Sequence, residues 1–307
     1  MRRMGSTKAR ISEILGNKSC LIVLDDVWEV AHAESFKNAL GPRCRLLVTT
    51  RDGGLATSLG AEQHRLDVLG NQAALQLLSD WAGMEGKPLP VEGQKVADEC
   101  GNLPFALALC GAMVRDGILW DDLLDALHEV DLGFIEKQFP NYPYPNVLRA
   151  LQVSIDALSE HKRRRYQELA VFPEDIALPE ETIVMLWLYT GRLNERNARK
   201  LVTELHNNSL LVAEGRSPNR RVRLHDLNHD YLQAVTEEIS ILHEKLLAAY
   251  ATKCPDGWPT GPNDGYFFEH LAYHLNEAGR NNELSILLTN SPQWMERKSK
   301  LSTRSIR

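Results

Sequence analysis

Two adjacent carboxylates, Asp25 and Asp26, end the apolar run Leu21-Ile22-Val23-Leu24. Such a pair suits a Mg²⁺–phosphate site, with Asp25 holding the ion through water and Asp26 polarising an attacking water. A second apolar run, Leu46-Leu47-Val48, ends in Thr49, Thr50 and Arg51, groups able to meet a terminal phosphate. The elements that must position these groups follow from the runs themselves. Short continuous apolar runs fit strands buried on both faces of a parallel sheet, and open α/β sheets bind ligands at their carboxyl ends. The competing reading makes Asp25 and Asp26 plain strand-end and helix-cap residues. The apolar run before them and Trp28 after them favour the site.

The other half of a nucleotide site is a phosphate loop, GxxxxGK[ST] between a strand and a helix, whose amides and lysine hold the phosphates. No stretch of the chain matches it. The nearest string, Gly16-Asn17-Lys18-Ser19, lacks the first glycine and runs straight into the apolar strand, so it reads as a turn. The residues before Leu21 are too few for a strand, a phosphate loop, a helix and a second strand. The nucleotide domain is therefore expected to be incomplete.

Composition describes a soluble chain. With 307 residues, 43% apolar and 25% charged, it has room for two or three small domains. A net charge of −6 makes no case for a nucleic-acid or membrane partner. Cys20, Cys44, Cys100, Cys110 and Cys254 show no CxxC pair and no zinc-ligand spacing, and read as buried reduced thiols of a cytoplasmic protein. The basic N-terminus has no apolar h-region, and no run approaches membrane-spanning length.

Organisation shifts near residue 69. Before it, strands alternate with helical stretches at Ala31–Leu40 and Gly54–Leu59, and a third strand is expected at His64–Val68. After it, Gln72–Trp81, Val91–Cys100 and Pro104–Val114 carry helical spacing, the last opened by proline after the Gly101-Asn102-Leu103 break. The proline-bearing stretch 139–145 marks a boundary. Helices are then expected at Asn146–Leu158, Lys162–Ala170, Pro179–Tyr189 and Asn194–Asn207, with Leu186, Trp187 and Leu188 in the core. Leu210–Ala213 and Arg221–Leu224 flank a turn and read as a hairpin, so this unit describes a winged helix. Leu227–Ala251, Tyr266–Ala278 and Asn282–Leu288 read as helices, and the basic last eleven residues as a frayed tail.

The strings LIVLDDVW, LLVTTRD, GNLPFAL, LAVFPEDIALPEETIVMLWL and VRLHDL occur in the order and rough spacing of the NB-ARC ATPases, which the chain resembles from about residue 15 onward. These are nucleotide switches of plant disease resistance and animal apoptosis. HDLNHDYL and HLAYHLNEAGRNNELSILL look more like the animal branch, whose members carry WD repeats. The resemblance implies an α/β remnant of a P-loop NTPase parallel sheet followed by mainly α domains including a winged helix. It implies divisions at 1–69 (partial nucleotide-binding domain), 70–145 (helical), 146–235 (winged helix) and 236–307 (helical, before a repeat region). Carried over by position, Asp25 is similar to the Mg²⁺-coordinating acid and Asp26 to the water-orienting acid. Arg51 resembles the γ-phosphate sensor and Pro104 the proline packed on adenine. His225 resembles the histidine that touches the β-phosphate of ADP. Leu224 stands where the family has methionine, and Asp226 is expected to cap the next helix.

The family's sheet order, 5-1-4-3-2, implies that strands 1 and 2 are missing here, leaving strand edges unpaired and the sheet strained or loosely formed. Weak or absent ADP and ATP binding, and no ATP hydrolysis, are then expected. The favoured function is a fragment of a switch that cycles between ADP-closed and ATP-open states to assemble with protein partners as a homo-oligomer. The alternative is a nucleotide-independent interaction module. Arg216, Arg220, Arg221 and Arg223 at the wing raise DNA binding as a third reading, but without a broad basic excess a solvated wing is preferred.

Overall fold

The structure, a computed structural model, describes residues 2–50, 52–130 and 145–302. It divides into two compact units, Met1–Asp67 and Val68–Arg307. The first runs α1 (Arg2–Leu15), β1 (Leu21–Leu24), α2 (Val30–Lys37), β2 (Arg45–Val48) and α3 (Gly53–Ser58). β1 and β2 pair in parallel, Leu21 opposite Arg45 and Leu24 opposite Val48. A parallel pair needs a crossover, and α2 supplies it. Val27, Ala33, Leu55 and Leu59 form the core, with Leu24, Val30 and Val48 packed against them.

Two expectations fail in this unit. The strands are not buried on both faces, since Leu21 is 60%, Val23 54% and Leu47 51% exposed. Alternate strand residues point to opposite faces, and the core contributed by α2 and α3 lies on the face of Leu24 and Val48. His64–Val68 forms no strand, and Leu66 is fully presented to solvent. A strand is held by its ladder, and this segment has none; Arg65 instead meets Asp67 at 3.3 Å on the surface.

The second unit is mainly helical. α4 (Asn71–Trp81), α5 (Val91–Glu99), α6 (Pro104–Arg115) and α7 (Trp120–Glu129) pack together, and α8 (Pro145–Asp156) lies on α6 and α7. Residues Ala106 to Met113 are buried in succession, as a helix enclosed on every side requires. Gly111 allows α4 to approach α6, for a Cβ there would stand 2.5 Å from that of Trp81. Of the expected boundary stretch, residues 139–144 lie outside the described residues, and Pro145 opens α8.

Next come α9 (Glu160–Gln167), a 3₁₀ turn (Glu168–Val171), β3 (Leu178–Pro179), α10 (Glu180–Gly191), α11 (Glu195–Asn207), β4 (Val212–Glu214) and β5 (Arg221–Arg223). The expected hairpin is present as β4 and β5, and β3 completes an antiparallel sheet of order β3-β5-β4. Trp187 and Leu186 are buried as expected, Leu188 is half-buried, and the Trp187 indole donates to the Arg165 carbonyl at 2.8 Å.

The long helix expected over Leu227–Ala251 is two, α12 (Asp226–Val235) and α13 (Ile239–Ala251). Glu238, at φ +55°, breaks it and turns α13 so that Leu242, Leu246 and Tyr250 are buried. α14 (Phe267–Glu277), α15 (Asn281–Thr289) and α16 (Pro292–Ser302) follow. Of the expected frayed tail, residues 297–302 belong to this last helix, and 303–307 lie outside the described residues. Proline opens the helix, and Trp294, only 1% exposed, stacks on Phe268 with ring centroids 4.8 Å apart. No helix among the described residues is long and apolar enough to cross a membrane.

Candidate functional site

In the first unit, Asp25 and Asp26 leave the carboxyl end of β1 beside Thr49, which follows β2. The Thr49 hydroxyl donates to Asp25 Oδ1 and accepts the Asp26 amide at 2.8 Å. Asp26 sits at φ +48°, a left-handed conformation that aspartate tolerates better than most residues. The Trp28 indole donates to Asp26 Oδ2 at 3.0 Å. One hydroxyl and one indole therefore aim both carboxylates. A solvent-facing pair of oxygen donors fits Mg²⁺, which retains several waters and takes one or two carboxylates. The residues present supply no phosphate loop. Arg51 lies outside the described residues.

In the second unit, Gly101 and Asn102, at φ +59° and +55°, reverse the chain between α5 and α6. Pro104 becomes the first residue of α6, where its missing N–H costs nothing. The Phe105 ring lies flat on that of His225, with centroids 4.7 Å apart and planes within 10°. Pro104 and His225 are thereby brought to one place. His225, not Asp226, is the N-cap of α12: its Nδ1 accepts the Leu227 N–H at 3.3 Å. The imidazole reaches that amide from the preceding turn, and Asp226 enters the first helical turn, where a carboxylate complements the helix dipole. With Nδ1 accepting, the neutral ring carries its proton on Nε2, a donor suited to a phosphate oxygen.

Sequence reasoning missed both Phe105 and the Thr49 clamp. It also passed over a grouping of Glu174, His229 and Asp230, whose ligand-capable atoms lie within 4.8 Å of one another. There His229 Nε2 meets the Phe172 carbonyl at 3.0 Å. Burial, then Asp230, raises the Glu174 carboxyl, and His229 opposes them. The second His-Asp of HDLNHD was the available signal. A cleft of about 870 Å³, lined by Ile118, Leu123, Ala126 and Val153 among others, includes none of the expected site residues.

The NB-ARC domain model matches residues 2–87, and the APAF-1 helical domain model matches residues 239–306. Over residues 2–87 the chain is similar to NB-ARC proteins. Apoptotic protease-activating factor 1 of Rattus norvegicus is 28% identical over 301 residues, covering 96% of this chain and 23% of that protein. Its Homo sapiens counterpart is 27% identical over 305 residues, with the same coverage of 96% and 23%. A "Probable disease resistance protein" of Arabidopsis thaliana is 23% identical over 275 residues, 84% of this chain and 32% of its own length. The chain therefore spans about a quarter of the apoptotic relatives it matches, at 23% of their length. A solved STAND ATPase with a tetratricopeptide repeat sensor, from Pyrococcus horikoshii, shares the fold with a TM-score of 0.52 at 14% identity, over 97% of this chain and 40% of that one. The NB-ARC match takes in Asp25, Asp26 and position 51. Pro104 and His225 fall between the two matched regions.

Proposed function

We propose that the chain is a portion of an NB-ARC switch protein whose ADP- and ATP-bound states differ in assembly, acting in apoptosis- or defence-type signalling. The observation that carries this reading is the bracketing of the chain by an NB-ARC match at 2–87 and an APAF-1 helical match at 239–306. In it, Asp25 holds Mg²⁺ through water, Asp26 orients a water and Arg51 meets the γ-phosphate. Pro104 packs on adenine, and His225 offers Nε2–H to the β-phosphate, steadied by Phe105. The unit at 146–235, with four helices before the β4–β5 hairpin, acts as a winged helix beside its neighbours at 70–145 and 236–307. The setting is cytoplasmic, and the partners are proteins, among them further copies of the full-length molecule.

In this reading the chain alone binds ADP or ATP weakly and does not hydrolyse ATP. No stretch supplies the phosphate-loop amides and lysine, which would leave only the Pro104 and His225 contacts. Calorimetry with ADP on the chain, and on the chain extended by a GxxxxGK[ST]-bearing segment, tests this. Binding by the extended form alone is the expected result. Submicromolar binding by the chain as it stands would overturn the weak-binding claim. Binding by neither, with the chain folded, would favour the second reading, a nucleotide-independent interaction module, which the self-contained core of the second unit supports.

A further inference from the structure

Cys20 and Cys44 immediately precede β1 and β2. The ladder continues through them: Leu21 pairs with Arg45, and the Arg45 amide donates to the Cys20 carbonyl at 2.9 Å. Neighbouring strands run about 4.8 Å apart, inside the roughly 4.4–6.8 Å Cα separation that a disulfide spans. The two side chains share the face of Leu24 and Val48, and their sulfurs stand 3.2 Å apart. Cys20 is half-buried and Cys44 is 7% exposed, so a small oxidant has a route that a bulky one lacks.

We propose that Cys20 and Cys44 form an oxidative modification site, closed to an intrachain disulfide by hydroperoxides. The roles of the two sulfurs are unequal. The contact between the two sulfurs, which either can donate, lowers the Cys44 pKa, against the effect of burial, and raises that of Cys20. Thiolate is the nucleophilic form, so Cys44 reacts first. Its sulfur attacks one peroxide oxygen, the O–O bond breaks, and hydroxide leaves and is protonated to water. Cys44 is then a sulfenic acid. The Cys20 sulfur attacks the Cys44 sulfur, the S–O bond breaks, and hydroxide departs with the Cys20 proton as a second water. Two thiols are oxidised and one hydrogen peroxide is reduced to two waters. The product clasps β1 to β2 at the end of the sheet opposite Asp25 and Thr49.

The test treats the intact chain with hydrogen peroxide near neutral pH, blocks remaining thiols with N-ethylmaleimide and maps the peptides by mass spectrometry. The expected product is a Cys20–Cys44 crosslink forming at least about tenfold faster than any change at Cys254 or at the buried Cys100–Cys110 pair. The variant C20S should leave Cys44 as a sulfenic acid trapped by dimedone, and C44S should leave Cys20 reduced. Both variants exchange one sulfur for oxygen, and circular dichroism confirms that they fold. Oxidation of Cys20 and Cys44 no faster than of the other cysteines would overturn the proposal. So would crosslinks only between chains, or dimedone labelling at Cys20 in place of Cys44.

Discussion

His225 joins α12 to α6 through one ring: it caps the first helix with Nδ1 and covers Phe105 of the second with its face. Replacing it with alanine removes a cap worth about 0.5–2 kcal/mol and a stack worth about 0.5–1.5 kcal/mol. Its exposure places the expected loss at the lower end of both ranges, read from urea melts. His225→Asn should recover the cap alone, and a double-mutant cycle with Phe105→Leu should isolate the stack. A cycle energy of zero would remove Phe105 from the site.

A second histidine effect depends on pH. His243 and His274 meet Nδ1 to Nδ1 at 2.8 Å, and Tyr266 closes the chain on His274 Nε2 at 2.6 Å. Burial lowers the His243 pKa to about 4, with Glu277 opposing, and holds His274 well below its usual range with help from His243 and His270. An unfolded histidine titrates near about 6.5. Between about pH 6.5 and 4 the unfolded chain therefore binds more protons than the folded one, and stability falls as pH falls. Tm measured across that window should drop less steeply in His243→Gln than in the parent; equal slopes would rule the pair out. At this scale Asp25 and Asp26 were legible because a strand end marks them. The contacts of Thr49 with them were not, nor was Phe105, because these partners lie far off in sequence.

Among the elements, α4 and α6 meet at Gly111, where an added methyl collides with the Trp81 Cβ and stands 3.0 Å from the Leu78 carbonyl. Gly111→Ala should destabilise by about 1–3 kcal/mol, the usual cost of overpacking, checked by chemical denaturation. Unchanged stability would mean that the two helices separate easily. α10 and the small sheet are joined by Glu180, which is 0% exposed and meets Arg199 at 2.9 Å and Arg220 at 3.4 Å. Glu180→Gln leaves both guanidinium groups short of a partner, and breaking such a buried pair costs about 3–5 kcal/mol. The low end is expected, because Arg199 and Arg220 are 23% and 19% exposed and can turn to water. One of the wing arginines, Arg220, is thus engaged with an acid. The helices opened by proline or bounded by glycine were legible in the sequence. β3 was not, since two residues carry no alternation, and neither was α16, whose docking rests on one tryptophan among polar residues.

Across the whole molecule, core size separates the two units. The first rests on Val27, Ala33, Leu55 and Leu59, while the second has a continuous core from Ala74 to Trp294. Amide protection follows the density of buried contacts. Hydrogen exchange should therefore run faster in β1 and β2 than in α6, α10 and α14, with the first unit opening at lower urea. Equal protection would show that the exposed faces of Leu21, Val23 and Leu47 are not a weakness. Fold class was legible because alternating strands and helices give way to helical periodicity near residue 69. The exposed sheet face was not, because an apolar run reads the same whether one or both faces find a cover. Trp294 has an optical consequence. Docked against Phe268 its indole is dry, and peeling α16 away would hydrate it and shift its fluorescence to longer wavelength. A chain with its other tryptophans replaced by phenylalanine would thus report, by colour alone, any pull transmitted into the helical stack through its last helix.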